Sequence, residues 1–266
     1  MSAVAYSSES ETSEAEPSIE VENVSASYRI RIDSTNLFDD LKRIVTRREA
    51  AAQLVPALRD VSFHVPRGSV LAVVGRNGAG KSTLCRVVSG VLPPESGRVV
   101  VRGRLNLLAP GLGFSEALTG RENIRLGGLA SGIPAERLEM LSDEIAEFAQ
   151  LDAYIDLPMR AYSAGMRMRL ASSVAVFLDP EILLIDEALT GGDAAFTEHI
   201  AEKTAQLIGE GRTIVLVTHT VTSVRTMATH ALWLHQGRVA EFGDPEDVVN
   251  AYLRYCRLEA LSDDFA

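Results

Sequence analysis

The sequence is poor in cysteine: its 266 residues hold only Cys85 and Cys256. Two thiols make neither a disulfide framework nor a cysteine-based metal site. Cys85 falls in a helical pattern, where a small core residue is its simplest role. Long apolar runs are also missing. None reaches the roughly 18 to 20 residues that span a bilayer, and no N-terminal apolar stretch suggests a secretory signal. The expectation is a cytosolic chain, or one that meets a membrane only through a partner. Lysine is limited to Lys42, Lys81 and Lys203, and glutamine to Gln53, Gln150, Gln206 and Gln236. A formal charge of −10 argues against a general nucleic-acid binder, which carries a basic face. Apolar residues reach 46%, enough for a sizeable core in one large domain or two small ones.

What is present centres on one stretch. Val70-Leu-Ala-Val-Val74 runs without polar alternation into Gly75-Arg76-Asn77-Gly78-Ala79-Gly80-Lys81-Ser82-Thr83. An apolar run of this kind reads as a parallel strand covered on both faces. The spacing that follows is the phosphate-binding pattern G-x-x-x-x-G-K-[ST]. Glycines let the backbone wrap closely and turn its N–H groups inward. Lys81 is expected to reach the β- and γ-phosphates, and the Ser82 hydroxyl to ligate Mg²⁺. A helix from Lys81 to Ser89 points its N-terminus at the same anion.

Around this stretch the chain divides by composition. Residues 1–17 are rich in Ser, Glu and Ala and predict a disordered acidic tail. Ser18 to Ile30 and Ala57 to Val65 read as strands, joined by an insertion over residues 31–55. Within the insertion, Leu37, Leu41, Ile44 and Val45 form an apolar stripe at helical spacing, beside Lys42, Arg43, Arg47 and Arg48. Arg98 to Val101 and Leu105 to Leu108 are short strands. Residues 114–177 predict a helical insert, with Pro134 in the first turn of one helix and another helix from about Ala164 to Phe177. Ile182 to Ile185 and Thr213 to Thr218 are further strands, separated by a helix from about Ala194 to Gly209. Gln236-Gly237 marks a hairpin. Asp244-Pro245-Glu246-Asp247 caps a final helix, which with its tail covers 244–266.

Four further features carry chemistry. Asp186 ends an apolar strand, where a carboxylate can hold the Mg²⁺ of a nucleotide, and Glu187 directly after it can polarise attacking water. Ser163 caps the helix at Ala164, making an anion-ready site with Gly165; an ordinary cap is the plainer alternative. His219 ends a strand, where imidazole can contact a γ-phosphate or orient water; a strand-end histidine satisfied by backbone is the plainer alternative. Tyr28 can stack on adenine or serve as a half-buried strand aromatic.

Together these residues resemble the nucleotide-binding subunit of ATP-binding-cassette transporters over about Ser18 to Phe242. The resemblance implies an α/β P-loop ATPase domain over residues 18–243, with a RecA-like core, an antiparallel β-subdomain and a helical insert. It makes Glu187 the catalytic glutamate, His219 the switch histidine, Asp193 the D-loop aspartate and Tyr28 the adenine-stacking aromatic. It also implies two copies head to tail, each ATP lying between Gly75–Ser82 of one and Ser163–Gly165 of the other. Two copies of a polytopic membrane permease would complete the transporter, with this subunit peripheral on the cytoplasmic face.

Two departures narrow the resemblance. The family's Leu-Ser-Gly-Gly-Gln signature stands here as Tyr162-Ser163-Ala164-Gly165-Met166. The glutamine that usually precedes the helical insert is absent near Pro110, where Ala109-Pro-Gly-Leu-Gly-Phe114 stands. With Leu118-Thr-Gly-Arg-Glu-Asn123 and Asp186-Glu-Ala-Leu-Thr-Gly-Gly-Asp193, these features look like the branch that exports lipid-linked polysaccharides such as O-antigen, teichoic acid or cell-wall galactan. A drug or lipid exporter and a soluble, non-transport cassette protein are the alternatives.

Overall fold

The computed structural model describes residues 4–7, 16–31, 52–108, 114–186 and 194–263. In chain order the first elements are β1 (Val4–Ser7), β2 (Ile19–Arg31), β3 (Ala52–Val65), β4 (Val70–Val74) and α1 (Lys81–Val88). Next come β5 (Ser96–Arg102), β6 (Leu105–Leu108), α2 (Gly120–Ala130), α3 (Ala135–Phe148) and α4 (Ala164–Phe177). The remainder is β7 (Ile182–Asp186), α5 (Ala194–Gly209), β8 (Thr213–Val217), α6 (Val221–Met227), β9 (His230–His235), β10 (Arg238–Gly243) and α7 (Pro245–Asp263).

Strands β4, β7 and β8 are buried at every position, which explains why none alternates in polarity. They lie in a six-stranded sheet of order β10-β9-β4-β8-β7-β6. All neighbours there are parallel except the β9–β10 hairpin. A second sheet, of order β1-β5-β2-β3, pairs β5 with β2 and β2 with β3 antiparallel.

The two faces of each central strand serve different cores. Leu71 and Val73 of β4, with Leu184 of β7, pack beneath Leu84, Cys85, Val87 and Val88 of α1. Ile19, Val21, Leu58 and Phe63 of the antiparallel sheet close the same cluster from above, so α1 is held between the sheets. On the opposite face, Leu183 and Ile185 meet Ala175 and Val176 of α4 and Phe196 and Ile200 of α5. Ala72 and Val74 meet Val224 of α6 and Val248 and Val249 of α7. The segment between β6 and β7 carries its own core, including Ile124, Leu138, Ile145, Leu170 and Val174.

Several sequence expectations need correction. Val4–Ser7 of the expected acidic tail pairs parallel with Val99–Arg102 of β5. Glu16, also assigned to the tail, pairs with Arg102. Arg31 and residues 52–55 of the expected insertion belong to the β2–β3 ladder, with Arg31 opposite Ala52. The rest of that insertion, including its amphipathic stripe, lies outside the described residues. Pro134 stands just before α3, one residue earlier than the spacing indicated. The short helix α6 has no counterpart among the sequence expectations.

Asn123 anchors the entry to the helical segment. It is fully buried. Its side-chain oxygen accepts from Ser115 N–H at 2.8 Å, and its amide nitrogen donates to the Ser115 and Thr119 carbonyls at 3.0 and 2.9 Å. One residue earlier, Glu122 completes a reciprocal capping box with Thr119, which satisfies two orphan N–H groups of α2. Asn123→Ala strands several buried backbone groups at once. The expected cost is about 2–3 kcal/mol of stability, read as a lower midpoint in urea unfolding; an unchanged midpoint would show that the loop finds other partners.

Candidate functional site

The register of the central sheet assembles the site. Val73 of β4 stands opposite Val217 of β8, and Val217 stands opposite Asp186 of β7. Two interstrand steps of just under 5 Å place Asp186 roughly 10 Å across the sheet from the end of β4. The loop after β4, the carboxylate ending β7 and His219 just past β8 therefore share the carboxyl edge of one sheet. The strands that follow β4 in this sheet fall on both sides of it, β6, β7 and β8 on one and β9 and β10 on the other. Crevices at such switch points are where open α/β sheets take ligands.

Glycine is required in the loop for two reasons. Gly75 has φ 150° and Gly80 has φ 105°, conformations that L side chains rarely adopt. A Cβ on Gly75 would meet the Leu234 carbonyl at 2.3 Å, and one on Gly80 the Ala57 carbonyl at 2.5 Å. The loop is thus wedged between β9 and β3. The hairpin turn at Gln236-Gly237 locks this wedge: Gly237 N–H donates to the Ala79 carbonyl at 2.9 Å, and Arg59 N–H donates to the Gly237 carbonyl at 2.8 Å. Arg76, Asn77 and Gly78 remain exposed, whereas Ala79 is buried.

Lys81 opens α1, and its ammonium donates to the Gly75 and Arg76 carbonyls at 2.6 and 3.1 Å. The lysine folds back on its own loop, pointing where a bound phosphate would compete for it. Partial burial pulls its pKa down, against the Asp186 carboxylate, which raises it. Asp186 itself is fully buried. Burial pushes the Cys85 thiol well above its ordinary range, and Asp186 adds to the shift; this thiol is an inert core residue. Ser82 is half-buried beside Lys81. The Tyr28 hydroxyl lies 3.3 Å from Thr83 Oγ1 and accepts from Arg86 at 3.2 Å. Tyr28 on β2 is thereby fixed against α1, flanking the loop.

Ser163 caps α4 as the spacing predicts: its hydroxyl accepts from Met166 N–H at 3.2 Å. The cap leaves the hydroxyl proton available to an anion, because the oxygen both donates and accepts. Ser163, Ala164 and Gly165 are all exposed. Tyr162, the signature's first departure, is buried, and its hydroxyl donates to the Tyr154 carbonyl at 2.8 Å. A Cβ on Gly120 would sit 2.5 Å from that hydroxyl. The two unusual motifs therefore meet, since glycine at 120 makes room for tyrosine at 162.

His219 is exposed just beyond the end of β8. Glu187, Asp193 and the Ala109–Gly113 stretch that stands where a glutamine was expected lie outside the described residues. Sequence reasoning missed the Thr119–Glu122 capping box, although S/T-x-x-E is a readable signal. It also missed the clamp by Gly237, which no local pattern reveals.

A glycine loop wedged at the switch point of a parallel sheet, with a strand-end carboxylate aligned beside it, defines a P-loop nucleotide-binding fold. The chain belongs to the ABC transporter family, whose model matches residues 58–190. It is 38% identical to the teichoic acids export ATP-binding protein TagH of Bacillus anthracis, over 88% of this chain and 42% of that protein. It is 40% identical to the O-antigen export system ATP-binding protein RfbB of Myxococcus xanthus, over 77% of this chain and 47% of that one. The match therefore spans less than half the length of either relative. Among solved structures, it resembles a dimeric ATP-binding cassette in a post-hydrolysis state bound to ADP and Pi. That likeness has a TM-score of 0.67 at 20% identity and covers 85% of this chain and 98% of that one.

The wedge gives a direct test. Gly80→Ala forces a Cβ against the Ala57 carbonyl at an unfavourable φ, so the loop must shift. ATP binding, measured by calorimetry, is expected to weaken at least tenfold while the far-ultraviolet dichroism stays near wild type. Wild-type affinity would mean that the loop tolerates displacement.

Proposed function

We propose that this chain is the ATP-hydrolysing subunit of a transporter that exports a lipid-linked polysaccharide of teichoic acid or O-antigen type. The observation that carries the proposal is the alignment of the Gly75–Ser82 loop with Asp186 across β4, β8 and β7, in a chain 38 to 40% identical to export ATP-binding proteins. The phosphates of ATP would lie on the loop amides and Lys81, with Arg76, Asn77 and Gly78 shaping its outer wall and the buried Ala79 and Thr83 its floor. Tyr28 would stack on adenine. The donor set suits Mg²⁺, a hard cation that favours oxygen: the Ser82 hydroxyl and the buried Asp186 carboxylate, close enough to Lys81 to act on its pKa. These two residues would hold it, and the ion would supply charge neutralisation at the phosphates. Glu187 would orient the attacking water, and His219 would contact the γ-phosphate.

A second copy would complete each site. The exposed start of α4, with Ser163 and Gly165, offers donors to an anion brought by another chain, and Asp193 would belong to the same junction. The dimeric cassette to which this fold is similar supports that arrangement. A polytopic membrane subunit, two copies per transporter, would bind the mixed cavity of about 220 Å³ lined by Leu105, Asn106, Leu107, Phe114, Ser131 and Leu178. Among the described residues no helix is long and apolar enough to cross a membrane. The subunit would sit on the cytoplasmic side, where ATP is available.

Two experiments test these roles. Glu187→Gln is expected to keep ATP binding and lose turnover by roughly 10²-fold or more, as when a water-orienting residue is removed; Lys81→Ala should weaken binding itself. Hydrolysis by Glu187→Gln at the wild-type rate would overturn the catalytic assignment. Affinity purification from detergent-solubilised membranes of the source cell is expected to recover a polytopic membrane protein. Recovery of ribosomes or DNA in its place would favour a non-transport cassette.

A further inference from the structure

The phosphate loop has an ionic partner at the far end of the chain. Arg76, the loop's second residue, pairs with Glu259 of α7 across 183 positions of sequence. The carboxylate is held from its other side as well, because the Tyr255 hydroxyl donates to its second oxygen at 2.6 Å. Tyr255 in turn rests edge-on against His235, with ring centroids 4.8 Å apart, and lies 5.3 Å from Trp233. Trp233 stands in register with Val74, the residue before Gly75. Leu234, between the two aromatics, supplies the carbonyl that excludes a side chain at 75. Strand β9 and helix α7 thus hold Glu259 in a fixed position beside the loop.

We propose that Glu259 is a positioning residue for the nucleotide site, drawing the Arg76 guanidinium onto α7 and so lowering the loop's affinity for ATP. The inference rests on assigning ATP to the Gly75–Ser82 loop. Arg76 and Glu259 are both partly exposed, with side-chain exposures of 56% and 34%, and exposed ion pairs contribute little to stability. The pair therefore matters less to folding than to charge placement. A polyphosphate gains from every cation free to turn toward it, and Arg offers a planar fork that fits phosphate oxygens. While paired with Glu259, Arg76 gives that fork to a carboxylate. Freed, it adds one cation to a site that otherwise relies on Lys81 and the loop amides. Screening in water limits the gain to about two- to fivefold in affinity and makes it fall with salt.

The test is calorimetric titration of the full chain with Mg²⁺-ATP at low and high salt. It uses wild type, Glu259→Gln, Arg76→Gln and the double variant, with thermal melting of each and Lys81→Ala as control. Glutamine at 259 keeps an oxygen for Tyr255 and removes only the charge. Glu259→Gln is expected to bind ATP about two- to fivefold more tightly at low salt, with the difference shrinking at high salt. In the Arg76→Gln background the same change should have no effect, because the influence runs through the guanidinium. Unchanged affinity in Glu259→Gln would overturn the proposal. So would an equal gain with and without Arg76, or a loss of affinity accompanied by a lower melting temperature, which would make Glu259 a structural tie for α7. If Lys81→Ala binds as wild type does, the assignment of ATP to the loop fails instead, and the two failures are separable.

Discussion

The structure depends on α1 being gripped between two sheets. A phosphate loop binds anions only if its backbone N–H groups are aimed before the anion arrives, and loops do not hold such a shape alone. Here the helix after the loop is fixed by burial on both sides, with Leu84, Val87 and Val88 facing strands of opposite sheets. The loop before it is fixed by contact with backbone that cannot retreat: the Leu234 and Ala57 carbonyls stand where side chains would go at 75 and 80. The hydrogen bonds through Gly237 then tie β3, the loop and the β9–β10 hairpin into one unit. The antiparallel sheet is therefore part of the nucleotide site, although its residues contribute mainly packing.

How much of this was legible follows from what each feature needs. Buried parallel strands announce themselves because both faces must be apolar, so β4, β7 and β8 could be read from short runs. Caps at Ser163 and Asp244 were readable because a side chain must answer N–H groups two or three residues away; Asp244 does accept from Glu246 N–H at 2.9 Å. Features that depend on contacts distant in sequence were silent. Nothing near Gly237 indicates that it braces Ala79, and nothing near Glu259 indicates Arg76. Strand β1 was hidden by its setting, four residues beside a run of glutamates. Helix α6 is too short to show a period. For Tyr162 the departure from the usual signature was visible, but its cause was not. It appears only when Gly120, 42 positions earlier, is seen beneath the phenol.

Helix α4 shows how the signature region is tied to the rest. Its hydrophobic residues do not form one stripe. Leu170 and Val174 belong to the core of the helical segment, whereas Ala175 and Val176 belong to the core on the sheet. A helix buried on several sides is a poor hinge, since bending it would open one core or the other. Ser163 at its start is thus tied to both cores at once. Asn123 and the Thr119–Glu122 box fix the entry to that segment, and Arg121 bridges Asp143 and Asp156 at 2.7 and 2.8 Å across it.

The cavity between the sheet edge and the helical segment lies where this rigidity becomes useful. Its walls come from both sides of the junction: Leu105 and Leu107 from the sheet edge, Gly127 from α2, and Val174 and Leu178 from α4 and its end. Under the proposed function, a helix of a membrane partner seated in such a cleft would press on the sheet and on the helical segment together. Because α4 spans both cores, that pressure would reach Ser163 without an intervening flexible loop. Inside the same sheet, three strands from β6, the central strand β4 carries the phosphate loop. Under the proposed function, the distance from cargo to nucleotide would then be bridged by two stiff elements, α4 and β4. The freedom for closure would have to come from the approach of two copies rather than from bending within one.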